Sequence, residues 1–187
     1  MDAFYASPAL ARPGEITITP WSYQSLGTEM YVSNLPVTSQ NWPTANLVIY
    51  VPFSIPEPMM ITKLFWGNGA AVAGNYDVGV YDSAGTRLVS SGSTGQSGTS
   101  RLQVVDVIDT VIARGLFYLA LCGDTAGSTS RVLACVPAAG IAQSFGLLQQ
   151  ASVTLPLSTN ASPATFAIYA TALIPLVGLQ GYRTGGP

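Results

Sequence analysis

The stretch Asn75–Ser91, NYDVGVYDSAGTRLVSS, decides the fold. Read with a period of two, it places Tyr76, Val78 and Val80 on one face and Asp77, Gly79 and Tyr81 on the other. Asp82-Ser-Ala-Gly85 then supplies a turn, with an Asp side chain able to bond the backbone ahead of it and a Gly free to take positive φ. Thr86–Ser91 returns as the partner strand, so the segment is predicted to be a β-hairpin.

The same grammar of short apolar runs and turn signals extends in both directions. Glu15–Thr19 alternates strictly, Glu29–Ser33 is a short candidate, and Asn46–Ser54 is β-branched and aromatic until Pro56 and Pro58 break it. Met60–Trp66, Arg101–Val107, Gly115–Cys122 and Arg131–Val136 follow as strands, and a final long strand is expected within Ala164–Ile174. Gly115–Cys122 and Arg131–Val136 are read as a hairpin that sets Cys122 opposite Cys135, which makes a disulfide conceivable; two reduced, buried thiols are the expectation in a reducing cytosol. The low-complexity Ser90–Ser100 is expected to be a flexible loop, Ala138–Gln150 has room for one short helix, and Ala151–Ser162 reads as loop or edge strand. The organisation predicted is an extended N-terminal arm over 1–14, an antiparallel two-sheet β-sandwich of jelly-roll type over 15–177, and a flexible C-terminal tail over 178–187. No internal repeat at a fixed period points to a propeller or solenoid.

Composition narrows the function. Charged residues make up 9% of the chain, against about a quarter in ordinary soluble domains, and the net charge is −2. A surface of Ser, Thr, Asn, Gln and Gly with so little self-repulsion suits a subunit whose faces are covered by neighbours. With one lysine, Lys63, and six scattered arginines, the chain lacks the clustered basic footprint that nucleic-acid binding needs. Histidine is absent, which removes Ser-His and Cys-His nucleophile systems and the commonest zinc ligand. No secretory signal is read at Met1–Thr19 and no apolar run is long enough for a membrane span, so synthesis and assembly in a cytoplasm are expected.

The carboxylates offer little catalytic pattern. Asp77 and Asp82 point to opposite faces of one strand, Asp106 and Asp109 end another, and turn chemistry is the expectation for all of them. A calcium site built from Asp82, Asp106, Asp109 or Asp124 has no spaced motif behind it. Gly92–Ser100 lacks the Gly-Lys-Ser/Thr ending of a phosphate loop. No cofactor or metal is expected. The binding currency that remains is aromatic: Trp21, Tyr23, Trp42, Trp66 and Tyr182 lie in irregular segments or at strand ends, where they are candidate interface or ligand residues.

The longer stretch NYDVGVYDSAGTRLVSSGSTGQSGTSRLQVVDV, Asn75–Val107, resembles β-sandwich segments of bacteriophage virion proteins, in tail, tail-fibre and head-decoration subunits. The resemblance lies in a strand of the form VGVYD leading to GTRLVSSGS. It implies a non-enzymatic particle component, assembled in the host cytoplasm and resident in the virion. It further implies a homo-oligomer, commonly a trimer, docked on capsid or tail proteins. A carbohydrate- or receptor-binding module that uses exposed Trp and Tyr platforms on a host surface glycan is the alternative.

Overall fold

A computed structural model describes residues 15–19, 37–133, 146–162, 166–169 and 173–184. The predicted arm, the Glu29–Ser33 strand, Trp21, Tyr23 and Cys135 lie outside them. The described residues hold thirteen strands and no helix, so the all-β expectation is met.

In chain order the strands are β1 (Glu15–Ile18), β2 (Val37–Asn41), β3 (Leu47–Ile55), β4 (Met59–Gly67), β5 (Asn75–Asp82), β6 (Arg87–Ser90) and β7 (Thr94–Gly95). There follow β8 (Leu102–Ile112), β9 (Gly115–Gly123), β10 (Thr129–Leu133), β11 (Leu148–Gln150), β12 (Ala167–Ile168) and β13 (Val177–Arg183). A smaller sheet runs β1-β13-β4-β8 and a larger one β12-β11-β3-β9-β5-β6, with β7 also on β5; β2 and β10 form a ribbon of their own. Every pairing is antiparallel. The pairs nest, β4 with β8 inside β3 with β9, while the chain alternates between sheets, as a jelly-roll-like sandwich requires.

The hairpin forms as read. Backbone N–H groups of Ala84 and Thr86 donate to Asp82 Oδ1 at 2.9 and 2.8 Å, and Gly85 takes φ +89°. Its two faces, however, are both buried. Tyr76, Val78 and Val80 join Leu64, Trp66, Leu119 and Leu179 in the core between the sheets. Tyr81 joins a second apolar layer with Val48, Tyr50, Ala120, Cys122 and Leu157 on the far side of the large sheet. Residues 151–162 roof that layer. Such burial on both faces explains why LVIYV in β3 is a continuous apolar run without alternation.

Four expectations need correction. Gly115–Cys122 and Arg131–Val136 do not pair: β9 lies between β3 and β5, while β10 pairs β2, so Cys122 faces Val48 and Asp77 and is a free, buried thiol. The expected tail at 178–187 carries β13 through Arg183 at the centre of the small sheet. Its glycines suggest a linker but serve close packing: Gly178 leaves room for the Phe65 ring, and Gly181 lies against the Met60 carbonyl at a register shift. Where a long strand is expected in Ala164–Ile174, the described residues hold the two-residue β12, with Leu173 and Ile174 outside any strand; within Ala138–Gln150 the described Leu148–Gln150 is strand, and residues 138–145 lie outside the described residues. Finally, Ser90–Ser100 is pinned rather than loose. Asn68 Nδ2 donates to the Ser97 and Gly98 carbonyls, Gln103 Nε2 donates to the Gly95 carbonyl, and Ser97 N donates to Gln103 Oε1.

Candidate functional site

Trp42 and Trp66 are 1% and 0% exposed, so neither is a platform for a ligand. Trp66 follows Leu64 at the two-residue period on the inward face of β4, and its indole N–H donates to Asn68 Oδ1 at 2.8 Å. A register shift between Ile61 and Lys63 hides that phase in the sequence. Trp42 enters the core from the β2–β3 connection and donates to the Leu47 carbonyl at 3.2 Å. Tyr76 stacks on Trp66 at 6.1 Å and meets Trp42 edge-on at 5.4 Å. Aromatic rings bury the most apolar area per side chain, and with their N–H groups satisfied these two indoles contribute more inside than on a surface. Trp21 and Tyr23 lie outside the described residues. Tyr182 alone of the candidates is described and accessible, half-buried on β13.

Polar groups expected at turns have structural partners. Asp77 is 0% exposed; its carboxylate accepts from Ser90 Oγ at 2.8 Å and Ser91 Oγ at 3.1 Å, next to β5 in the sheet, and from Leu157 N at 2.8 Å, which holds the 151–162 roof on the sheet. Asp124 is pushed up by burial, but hydrogen bonds from Asn75 N and Nδ2 and from Thr125 Oγ1 outweigh this and hold it below its ordinary value. Ser130 Oγ donates to Tyr76 Oη, which lies 2.7 Å from Ser128 Oγ, whose proton goes to the Thr125 carbonyl. Among the described residues no group of three His, Cys, Asp or Glu is placed to hold a metal. Among the described residues no helix is long and apolar enough to cross a membrane.

The surface with an unspent apolar face is on the small sheet. Met59 and Ile112 are inward and paired, so the next pair, Met60 and Val111, points out. Tyr182 pairs with Met60 from the other side. Tyr182, Met60 and Val111 therefore form one apolar row across β13, β4 and β8. Its exposure increases toward the edge: Tyr182 and Met60 are half-buried, whereas Val111 is 65% exposed. Ile108, at the shift of register between the Ile61–Thr110 and Lys63–Asp106 pairs, is 87% exposed. A neighbouring row is polar, with Gln180 opposite Lys63 and Lys63 opposite Asp106. Among the described residues, β8 has no strand on its other side. Toward Arg101 the side chain of Gln103, on the same face as its partner Trp66, holds Gly95 and Ser97, while from Asp106 onward Asp106, Ile108, Asp109 and Val111 are exposed. Sequence alternation could have placed Val111 outward; only the sheet order shows that it borders an edge.

Compared with known proteins, the chain matches no family model, no curated protein and no solved structure.

Proposed function

We propose that this chain is a non-enzymatic structural subunit of a bacteriophage particle, a head-decoration or tail/fibre component that acts by self-association and docking on other virion proteins. The observation that carries the reading is the apolar row Tyr182–Met60–Val111, which ends at the exposed half of β8, without a further strand among the described residues, on a chain with only 9% charged residues. An unpaired strand edge presents a row of N–H and C=O groups that a second strand satisfies, and apolar side chains beside it gain by leaving water. The resemblance of Asn75–Val107 to virion β-sandwich segments supplies the setting, the virion, and favours a trimer. The glycan-binding alternative has less support, because Trp42 and Trp66 are core residues.

Size-exclusion chromatography with light scattering, together with mass spectrometry of purified particles, tests the proposal. A multimer that is also a stoichiometric particle component supports it. A concentration-independent monomer absent from particles overturns it.

A further inference from the structure

We propose that Asn68-Gly69 is a site of spontaneous deamidation that the folded chain holds shut, and that modification there, once it has befallen an unfolded chain, blocks its return to this fold. The inference is independent of what the chain assembles with.

Asn68-Gly69 is the one Asn-Gly dipeptide in the sequence. Deamidation at such a pair begins when the glycine's backbone nitrogen, having lost its proton, attacks the side-chain carbonyl carbon of the asparagine. A bond forms between Gly69 N and Asn68 Cγ, the Cγ–Nδ2 bond breaks, and the nitrogen leaves as ammonia. Water then opens the five-membered imide at either of its carbonyl carbons. One opening leaves aspartate; the other leaves isoaspartate, with the backbone rerouted through the side chain. Glycine makes the step fast because no Cβ obstructs the ring and its backbone reaches the required conformation freely.

The fold engages every group the reaction needs. Asn68 is 0% exposed. Its Oδ1 accepts from the Trp66 indole at 2.8 Å, and its Nδ2 donates to the Ser97 carbonyl at 2.7 Å, the Gly98 carbonyl at 3.0 Å and Gln103 Oε1 at 2.9 Å. The nucleophile is held as well, since Gly69 N donates to the Thr129 carbonyl at 2.9 Å. Asn68 N donates to the Arg101 carbonyl at 2.8 Å and Ser100 N to the Gly69 carbonyl at 2.6 Å, which fixes the backbone on both sides. Ring closure must give up these bonds together, so it waits for a local opening of the chain.

The same contacts make the product incompatible with the site. An aspartate at position 68 turns a carboxylate toward two backbone carbonyls and Gln103 Oε1, three acceptors left without a donor in a buried place. Isoaspartate adds a carbon to the backbone beside Gly69, where there is no slack. A Cβ placed on Gly69 already runs into Ser39 Oγ and Thr129 Oγ1.

The full chain, incubated at mildly alkaline pH in buffer and in guanidinium chloride, tests the gate. The tryptic peptide Leu64–Arg87 is followed by mass spectrometry, with Asn75, which precedes a tyrosine, as the reference within the same peptide. In denaturant Asn68 should convert well ahead of Asn75, and Gly69→Ala should slow it. In buffer the conversion should be slower by about tenfold or more, because it follows the population of the opened state. Gln103→Ala removes one acceptor of the clamp and the bonds to Gly95 and Ser97. It should raise the rate in buffer and leave the rate in denaturant unchanged.

For the trap, chains part-converted in denaturant are diluted into buffer, and the modified peptide should be depleted from the folded peak on size exclusion and enriched in the aggregate. Asn68→Asp, expressed directly, reads the same effect without a refolding step and should give less soluble protein with a lower melting temperature. Equal conversion of Asn68 in buffer and in denaturant, or a rate in buffer that Gln103→Ala does not move, overturns the gate. Modified chains that refold as well as unmodified ones, or an Asn68→Asp variant with wild-type yield and melting temperature, overturn the trap.

Discussion

Asp77 accepts a hydrogen bond from the backbone N–H of Leu157 at 2.8 Å, a contact that joins residues 80 positions apart. It fixes the roof of residues 151–162 to β5 of the large sheet, beside Tyr81, whose hydroxyl donates to the Ser158 carbonyl at 2.7 Å. Around this polar anchor Leu157 is buried against Tyr81, Val48 and Cys122. Full burial of such a leucine contributes about 1.5–3 kcal/mol. The arrangement leaves Asp77 without access to a ligand and makes it part of the scaffold.

Asp77→Ala orphans the Leu157 N–H and removes the acceptor for Ser90 and Ser91. Unmade hydrogen bonds of this kind cost about 3 kcal/mol in total. In a chain of this length that lowers Tm by roughly 6–12 °C. Calorimetry reads the shift, and limited proteolysis should show earlier cleavage within 151–162. Asp77→Asn, which keeps one carbonyl oxygen for Leu157, should lose less.

Trp66→Ala removes the ring between Leu64 and Tyr76 together with the indole bond to Asn68, and Asn68 in turn holds the Ser97–Gly98 segment. A loss of about 3–5 kcal/mol is expected from the cavity. Urea unfolding monitored by circular dichroism should show the lower midpoint. Hydrogen exchange should increase at the Ser97 and Ser100 amides before it does in β3. Equal loss of protection everywhere would argue against a local staple.

Gly178→Ala and Gly127→Ala form a matched pair. A Cβ at Gly178 meets the Phe65 ring and lies 2.5 Å from the Ile18 carbonyl oxygen, whereas one at Gly127 meets nothing. Overpacking in a centre strand costs about 1–3 kcal/mol. Thermal melts should place Gly178→Ala well below wild type and Gly127→Ala close to it.

Alkaline pH should destabilise the fold. Desolvation pushes the Cys122 thiol up to about 12 from an ordinary value of 9.0, and Tyr81 up to about 12 from 10.0; burial raises Tyr50 and Tyr76 as well. Each group keeps its proton longer in the folded chain than in the unfolded one. Their contributions are thus complete below pH 9 and decline as pH rises toward 12, by on the order of 1 kcal/mol per pH unit for each group titrating. Urea midpoints should be level to pH 9 and fall above it. At neutral pH, iodoacetamide should leave Cys122 unmodified until denaturant is added, as peptide mass spectrometry would show.

Local chemistry made the central hairpin readable. Asp82 and Gly85 act within five residues of each other, and the alternation of Tyr76, Val78 and Val80 needs no distant partner to be seen. The same holds for the expected strands that became β1, β3 and β4, whose β-branched and aromatic runs match their spans within a residue or two. Ser90–Ser100 and residues 178–183 misled because glycine and serine are equally common in loose chain and in backbone that must approach closely or accept side-chain hydrogen bonds. Gln103, Asn68 and Phe65, which turn those segments into ordered structure, are distant in sequence or carry no local signal of their partners.

The candidate surface divides the same way. Of the aromatic residues taken as interface or ligand candidates, Trp42 and Trp66 are core, and Tyr182 alone is described as accessible. Position next to Pro43 or at a strand end does not tell inward from outward, since that depends on which sheet covers the residue.

What the amino-acid order determined alone is the β character, the hairpin with its turn, the scarcity of charge and the exclusion of histidine chemistry. These follow from residue type and a two-residue period, both local. Only the tertiary structure decided that both faces of β5 are buried, that β9 and β10 part company, and that an apolar row ends at the exposed Val111 of β8. Strand order and register arise from long-range pairing, where each match depends on all the others, and no single segment contains that information.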